Sequence, residues 1–217
     1  MPSYVNAYDA ICQSCGSRFN LRETFSATIN LDIEGFEKQG FLNGTLNKVT
    51  CPFCACKFTY EIPMIVFSSK LKIAYLVQPT LRNDENCISK NPPYAIFSKD
   101  YEYRIVRYLA EAKEKFDIKM SGLSDSTVEY IKLKSFTDDM AMPFDEVNML
   151  FVSYENKKYI FNQVDYNDKI LNTYEITFSE NIPEYVLNIS RKNNKWLKID
   201  RETLKEEVKC QNTKMSL

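Results

Sequence analysis

The sequence predicts an α+β fold: an N-terminal antiparallel β unit, central helices, and a C-terminal antiparallel β-meander with a closing helix. Paired cysteines, Cys12-Gln13-Ser14-Cys15 and Cys51-Pro52-Phe53-Cys54, sit among strand-like stretches at the N-terminal end. Tyr101, Ile105, Leu109, Ala112 and Phe116 recur at helical spacing in the middle. From Val147 onward the pattern turns to period two, the signature of half-buried strands. The expected divisions are 1–80 for the cysteine-bearing unit, 81–147 for a linker and helical segment, and 148–217 for the meander and its helix.

Each element follows in order. Thr24 to Leu31 alternates at Phe25, Ala27, Ile29 and Leu31 and reads as a strand. Asp32 to Gln39 predicts a short helix, and Gly40 with Asn43-Gly44 predicts the turns that return the chain to a strand over Thr45 to Thr50. Phe58 to Phe67 and Leu71 to Val77 read as two further strands, giving a mostly antiparallel sheet over residues 8–79. Asp84 to Asp100, with Pro92-Pro93, reads as a linker. Tyr101 to Phe116 is then a helix whose charged residues Arg104, Arg107, Glu111, Lys113 and Glu114 are expected to face solvent. After Gly122, Ser124-Asp125-Ser126 caps a second helix, with Ser126 and Glu129 at capping-box spacing and Val128, Ile131 and Phe136 buried.

Met149 to Tyr154, Lys158 to Val164 and Lys169 to Phe178 are expected as three strands, joined at Glu155-Asn156 and Asn167-Asp168. Pro183 opens a short helix over Ile182 to Ile189. Lys195 to Ile199, with the single Trp, reads as a last strand, and Asp200 caps a helix running to Val208.

The cysteine pairs carry the chemistry. Two residues between thiols allow a tight backbone knuckle, so that both sulfurs converge on one metal, and two knuckles complete a tetrahedral site of four thiolates. Gly16 suits a knuckle that needs positive φ, and Pro52 pre-sets the second turn. Phe19 and Phe58 each lie four residues beyond the second cysteine of their pair, so the two knuckles share the pattern C-x2-C-x3-F. The predicted ligands are Cys12, Cys15, Cys51 and Cys54, holding one structural Zn2+ in a zinc-ribbon-like unit, against the alternatives of a redox dithiol or unliganded cysteines. Cys56 adds a fifth thiol nearby; it reads as a small hydrophobe, with ligand exchange or a redox switch as the sharper alternative. Cys87 and Cys210 have no partner pattern.

Composition narrows the function classes. The chain has 217 residues, 44% hydrophobic and 26% charged, as in an ordinary globular protein. With no histidine, Ser-His-Asp and Cys-His catalysis and imidazole metal sites are excluded. Glycine is scarce, at 5, and no Walker A, G-x-G-x-x-G or G-x-S-x-G pattern occurs. Asp138-Asp139 and Asp145-Glu146 are the carboxylate pairs an enzyme could use, though adjacent acids on turns are ordinarily solvated surface. Lys and Arg number 28 against 29 Asp and Glu, without the basic surplus of a phosphate-gripping protein. Around the knuckles Arg18, Arg22, Lys38, Lys48 and Lys57 are matched by Glu23, Asp32, Glu34, Glu37 and Glu61. Met1 to Ile11 lacks a basic start and an apolar run, and no stretch approaches a membrane span, which predicts a cytoplasmic chain with reduced thiols and no membrane partner.

The two knuckles, Asn43-Gly44-Thr45-Leu46-Asn47 ahead of Cys51-Pro52-Phe53-Cys54, and the strand pair running to Gln78-Pro79 resemble the CpXC domain family, found in bacteria and archaea. The resemblance is carried by residues 9–80 and continues through Ile105-Val106-Arg107-Tyr108-Leu109 and Trp196-Leu197-Lys198-Ile199-Asp200-Arg201. It implies a zinc-ribbon-like N-terminal unit and a prokaryotic or phage origin, and it brings no activity with it. Two departures stand out: Gln13 replaces the frequent Pro, and Ala55 stands where Gly usually follows the fourth cysteine.

Three functional readings remain at this point. The first is a non-catalytic zinc protein whose surface binds another protein, a homo-oligomer through exposed strand edges included. The second is a nucleic-acid-binding ribbon using exposed aromatics such as Phe53 or Tyr60, which the balanced charge disfavours. The third is an enzyme with no recognisable motif.

Overall fold

The computed structural model describes residues 6–23, 25–79, 100–136, 147–165, 169–190, 199, 203–208 and 210. Strand β1 (Asn6–Ile11) pairs antiparallel with β2 (Arg18–Glu23), and β4 (Lys48–Thr50) pairs antiparallel with β5 (Lys57–Thr59). These two hairpins pack around Ala10, Cys12, Leu21, Val49, Cys51 and Phe58. Between them run β3 (Thr28–Asn30) and helix α1 (Phe36–Leu42).

A four-stranded sheet follows, in the order β3-β6-β7-β8, from β6 (Met64–Ser68), β7 (Ile73–Val77) and β8 (Glu102–Val106). It is mixed: β3 with β6 and β7 with β8 are parallel, while β6 with β7 is antiparallel. One face packs with α1 and with α2 (Leu109–Met120) around Phe41, Leu46, Val66, Tyr75 and Leu109. The other face gathers Ile65, Ala74, Leu76, Tyr101, Tyr103 and Ile105. At the turn from β6 to β7, Asp32 accepts hydrogen bonds from the Ser68 hydroxyl (2.5 Å) and the Ser69 and Lys70 amides (2.7 and 3.2 Å).

Helix α3 (Asp125–Ser135) is buried along most of its length, with Val128 and Ile131 facing Ile118 of α2 and Phe151 and Phe161 of the meander. The meander is β9 (Val147–Glu155), β10 (Lys158–Asp165) and β11 (Ile170–Ile176), in the order β11-β10-β9 and antiparallel throughout. Helix α4 (Glu184–Ser190) packs on α3 through Val186, Ile189 and Tyr130, and residues 203–208 add another helical turn there through Leu204.

Several expectations are corrected. The sheet expected over residues 8–79 is two antiparallel hairpins plus part of a mixed sheet. The expected strand over Phe58 to Phe67 divides between β5 and β6, which lie in different sheets, with Pro63 in the break. The strand expected from Thr24 shortens to Thr28–Asn30, and the helix expected over Asp32 to Gln39 runs over Phe36–Leu42. Gly40 therefore lies inside α1 rather than in a turn, and a Cβ there would stand 3.2 Å from Leu46 Cδ1, so its small size admits Leu46. The helix ends in a Schellman motif: the Thr45 amide donates to Gly40 O (2.8 Å) and the Gly44 amide to Phe41 O (3.2 Å), with Gly44 at φ 64°.

The largest correction concerns Tyr101 to Phe116. Its first third is strand β8, because Tyr103, Arg104, Ile105 and Val106 are buried on both faces of the sheet and pair with β7. The helix begins only at Leu109 and runs on to Met120. In the second helix the N-cap is Ser124 rather than Ser126, and Glu129 bonds Lys115 and Lys132 instead of closing a capping box. The first hairpin of the meander turns at Asn156-Lys157, both at positive φ (51° and 64°) as a type I′ turn requires. The expected turn at Asn167-Asp168, the cap at Asp200, Cys87, and the expected linker and last strand apart from Asp100 and Ile199 lie outside the described residues.

Candidate metal centre

The two knuckles are built alike. In the first, the Cys12 amide donates to Ser17 O (2.9 Å) and the Gly16 amide to Cys12 O (2.8 Å). In the second, the Cys51 amide donates to Cys56 O (2.8 Å) and the Ala55 amide to Cys51 O (2.9 Å). Gly16 and Ala55 take the same left-handed place, at φ 70° and 59°. The first thiol of each pair is buried and the second exposed, and each knuckle runs into a hairpin strand that begins with an exposed cation, Arg18 or Lys57. The repeat is thus longer than C-x2-C-x3-F: a cation precedes each phenylalanine, a signal present in the sequence that the shorter pattern passes over.

The knuckles bring Cys12, Cys15, Cys51 and Cys54 together, their Sγ atoms all within 4.8 Å of one another. Cys12 Sγ lies 3.6 Å from Cys54 Sγ, and Cys15 Sγ 3.7 Å from Cys51 Sγ. A tetrahedron with metal–sulfur bonds of about 2.3 Å has edges of about 3.8 Å, so these spacings suit four thiolates around one ion. They are far too long for disulfides, and the described cysteines are free thiols.

Crowding splits the acidity of the thiols. Hydrogen bonds from the Ser17 hydroxyl and amide bring Cys15 down to about 6. At Cys54 the largest influence, the Cys56 amide, favours the thiolate, but desolvation and the three neighbouring sulfurs outweigh it and push the thiol up to about 12. A divalent cation at the centre lets all four ionise, and the Ser17 and Cys56 amides already point at the second sulfur of each pair. The donor set therefore fits a thiophilic four-coordinate metal. Cys56 stands apart from the cluster, its thiol 3.8 Å from Lys57 O.

This geometry agrees with the family comparison. The CpXC protein family matches over residues 10–132, from the end of β1 into α3. The chain belongs to the CpXC family. The resemblance read from the knuckles is thereby borne out, and the CpXC match extends beyond them to the four-stranded sheet and both central helices. No curated protein and no solved structure matched the chain.

Other candidates from the sequence fare differently. Tyr60, considered for base stacking, is packed against Phe25 and Tyr8, and its hydroxyl donates to Asp9 O (3.2 Å). Phe53 is 67% exposed and meets Phe19 edge-on at 6.4 Å. Asp138-Asp139 and Asp145-Glu146 lie outside the described residues. No helix among the described residues is long and apolar enough to cross a membrane.

Sequence reasoning missed a buried ionic cluster. Arg104, expected on a solvated face, is 1% exposed and reaches Asp125 through Nε (2.5 Å), Glu102 through Nη2 (2.7 Å) and Tyr103 O through Nη1 (2.9 Å). Glu114, also expected outside, accepts from Lys132 Nζ and the Phe151 amide, both at 2.5 Å. Burial raises the Glu114 carboxyl above its usual range, opposed by Lys132. Lys115 completes the set on Glu129 at 2.8 Å. A cleft of about 370 Å3 between α1, α2 and the meander is walled mainly by apolar groups such as Leu46, Leu109 and Val152, and its Lys113 and Asp117 pair with each other at 2.5 Å.

Proposed function

We propose that this CpXC protein is a non-catalytic zinc protein: one structural Zn2+, held by Cys12, Cys15, Cys51 and Cys54, fixes two hairpins that present a protein-interaction surface. The observation that carries the reading is the convergence of the four Sγ atoms from two equivalent knuckles. Four thiolates fill a tetrahedral ion, leaving it no open position for water, so its contribution is to folding. The hairpins enclose a small core, and structural zinc contributes on the order of 10–16 kcal/mol to such units. Beside the cysteines, Phe53 (67% exposed) and Ile11 (53% exposed) offer exposed apolar area.

Native mass spectrometry on protein purified without chelator, with zinc quantified on the same sample, tests this. One zinc per chain is expected, and Phe53→Ser is expected to keep the zinc while losing any co-purified protein. A folded, metal-free chain would overturn the reading. The exposed Phe53 and the paired cations Arg18 and Lys57 also support a second reading, nucleic-acid binding. Filter binding at two salt concentrations separates the two, because affinity that rests on phosphate contacts falls steeply as salt rises.

A further inference from the structure

The cleft between α1, α2 and the meander draws its lining from both the family-matched part of the chain and the strands beyond it. The meander is irregular where it borders the cleft. Ile160 pairs with Ser153 and Phe161 with Phe151, so Val152 is an extra residue in β9. Gln163 pairs with Asn172 and Val164 with Ile170, so Leu171 is an extra residue in β11. Bulges bend a strand and re-aim its side chains, and they recur beside functional sites. Here one lies on each side of β10. Val152 (42% exposed) and Ile170 (54% exposed) line the cleft together with Leu46 and Leu109. Its volume of about 370 Å3 is that of a small-molecule site.

The charged groups of the lining are Lys113, Glu114 and Asp117. The Glu114 carboxylate is committed to Lys132 and the Phe151 amide. Lys113 and Asp117, one turn apart on α2, pair at 2.5 Å with 31% and 24% of their side chains exposed. The wall thus offers one charge of each sign, side by side, and no net charge.

A ligand carrying a single charge would meet one attractive and one repulsive partner at once. A zwitterion whose two charges are adjacent meets both with the right sign. In an α-amino acid the ammonium nitrogen and the nearer carboxylate oxygen stand about 3 Å apart. Lys113 Nζ and Asp117 Oδ2 stand 2.5 Å apart, so two antiparallel pairs of charges can form.

We infer that this cleft binds a free α-amino acid with a large apolar side chain. The ligand's ammonium lies on Asp117 and its carboxylate on Lys113, while its side chain covers the apolar wall of Leu46, Leu109, Val152 and Ile170. The inference does not rest on the zinc reading, since it concerns a different part of the fold.

Isothermal titration of the full, zinc-loaded chain tests it. L-Phenylalanine and L-leucine are each expected to bind at one site per chain. 3-Phenylpropanoate lacks the ammonium and 2-phenylethylamine lacks the carboxylate. Each forfeits a charge-assisted hydrogen bond and should bind about tenfold more weakly than phenylalanine, or worse. Lys113→Met/Asp117→Leu removes a partly exposed pair, so it should keep the circular dichroism of the parent and lose the preference for phenylalanine over its two analogues. Ala110→Phe places a ring at the lining and should weaken all three ligands together. The analogue series needs only the parent chain, so a variant that fails to fold leaves the test intact. No saturable binding of either amino acid, equal affinity for the three phenyl compounds, or an affinity unmoved by both variants would overturn the inference.

Discussion

Ser17 and Cys56 hold the same position in the two knuckles: each accepts from the amide of the first cysteine, at 2.9 and 2.8 Å, and each donates its own amide to the second. The fifth thiol is thus a counterpart of a serine, attached to a backbone position that does its work through N–H and C=O. Cys56→Ser should therefore keep one zinc per chain and melt within about 1 °C of the parent. Cys51→Ser removes one of the four converging sulfurs and should lose the metal and unfold the hairpin unit. Metal content and thermal melts of both variants check this; zinc loss in Cys56→Ser would make that thiol a ligand.

The second knuckle carries strain that the first does not. Ala55 sits at φ 59°, where Gly16 sits at 70° in its twin. A left-handed conformation costs an L residue about 1–2 kcal/mol, and glycine gives back part of that in unfolded-state entropy. Ala55→Gly should raise stability by about 0.5–1 kcal/mol, read from urea unfolding of the zinc-loaded protein. A destabilised variant would mean that the Ala55 methyl makes contacts worth more than the strain.

The knuckles and the meander were legible because their signals are local. Cysteine spacing dictates a turn, and alternation along Met149 to Tyr154 or Lys158 to Val164 states which face is buried. Strand β8 was not legible, because a parallel strand buried on both faces loses its alternation, and Tyr101, Ile105 and Leu109 happened to continue a helical spacing into α2. The buried charges were hidden for a different reason. Arg104 finds Asp125, and Glu114 finds Phe151, across long stretches of chain, so their burial becomes visible only when the fold supplies the partner. A charged residue in a window of sequence reads as solvated because that is its usual fate.

Arg104 ties β8 to the start of α3 through Asp125, with 1% and 4% of the two side chains exposed. Removing one member leaves the other charged, buried and short of partners. Arg104→Met is expected to cost about 3–5 kcal/mol, whereas the double variant Arg104→Met/Asp125→Leu should recover much of that loss. Arg104→Lys should rescue poorly, since one ammonium cannot serve Asp125, Glu102 and Tyr103 O in the geometry of the guanidinium fork. Chemical denaturation of the three variants decides it; additive losses in the double variant would show that the two residues stabilise the fold independently.

Asp32 gives the fold a dependence on acid. Its desolvation favours the neutral form, but the hydrogen bonds from Ser68 and from the Ser69 and Lys70 amides outweigh it, and the carboxyl lies below its ordinary range. A carboxylate whose folded pKa is depressed stabilises fully above the unfolded value of about 3.9 and loses that contribution as pH falls through the folded value. Asp32→Asn keeps the shape and can keep a carbonyl oxygen on the Ser69 and Lys70 amides, but it removes the charge and turns an amide N–H toward the Ser68 hydroxyl, which donates to Asp32 in the parent. At neutral pH it should cost about 1 kcal/mol. Below about pH 4 the unfolded parent protonates this carboxyl while the folded parent still holds it ionised, so the gap between the two proteins should narrow as pH falls toward the folded value. Urea midpoints of both proteins from pH 7 to pH 3 measure that gap directly, and a constant difference across the range would place the stabilisation in the shape of the β6–β7 turn rather than in the charge of Asp32.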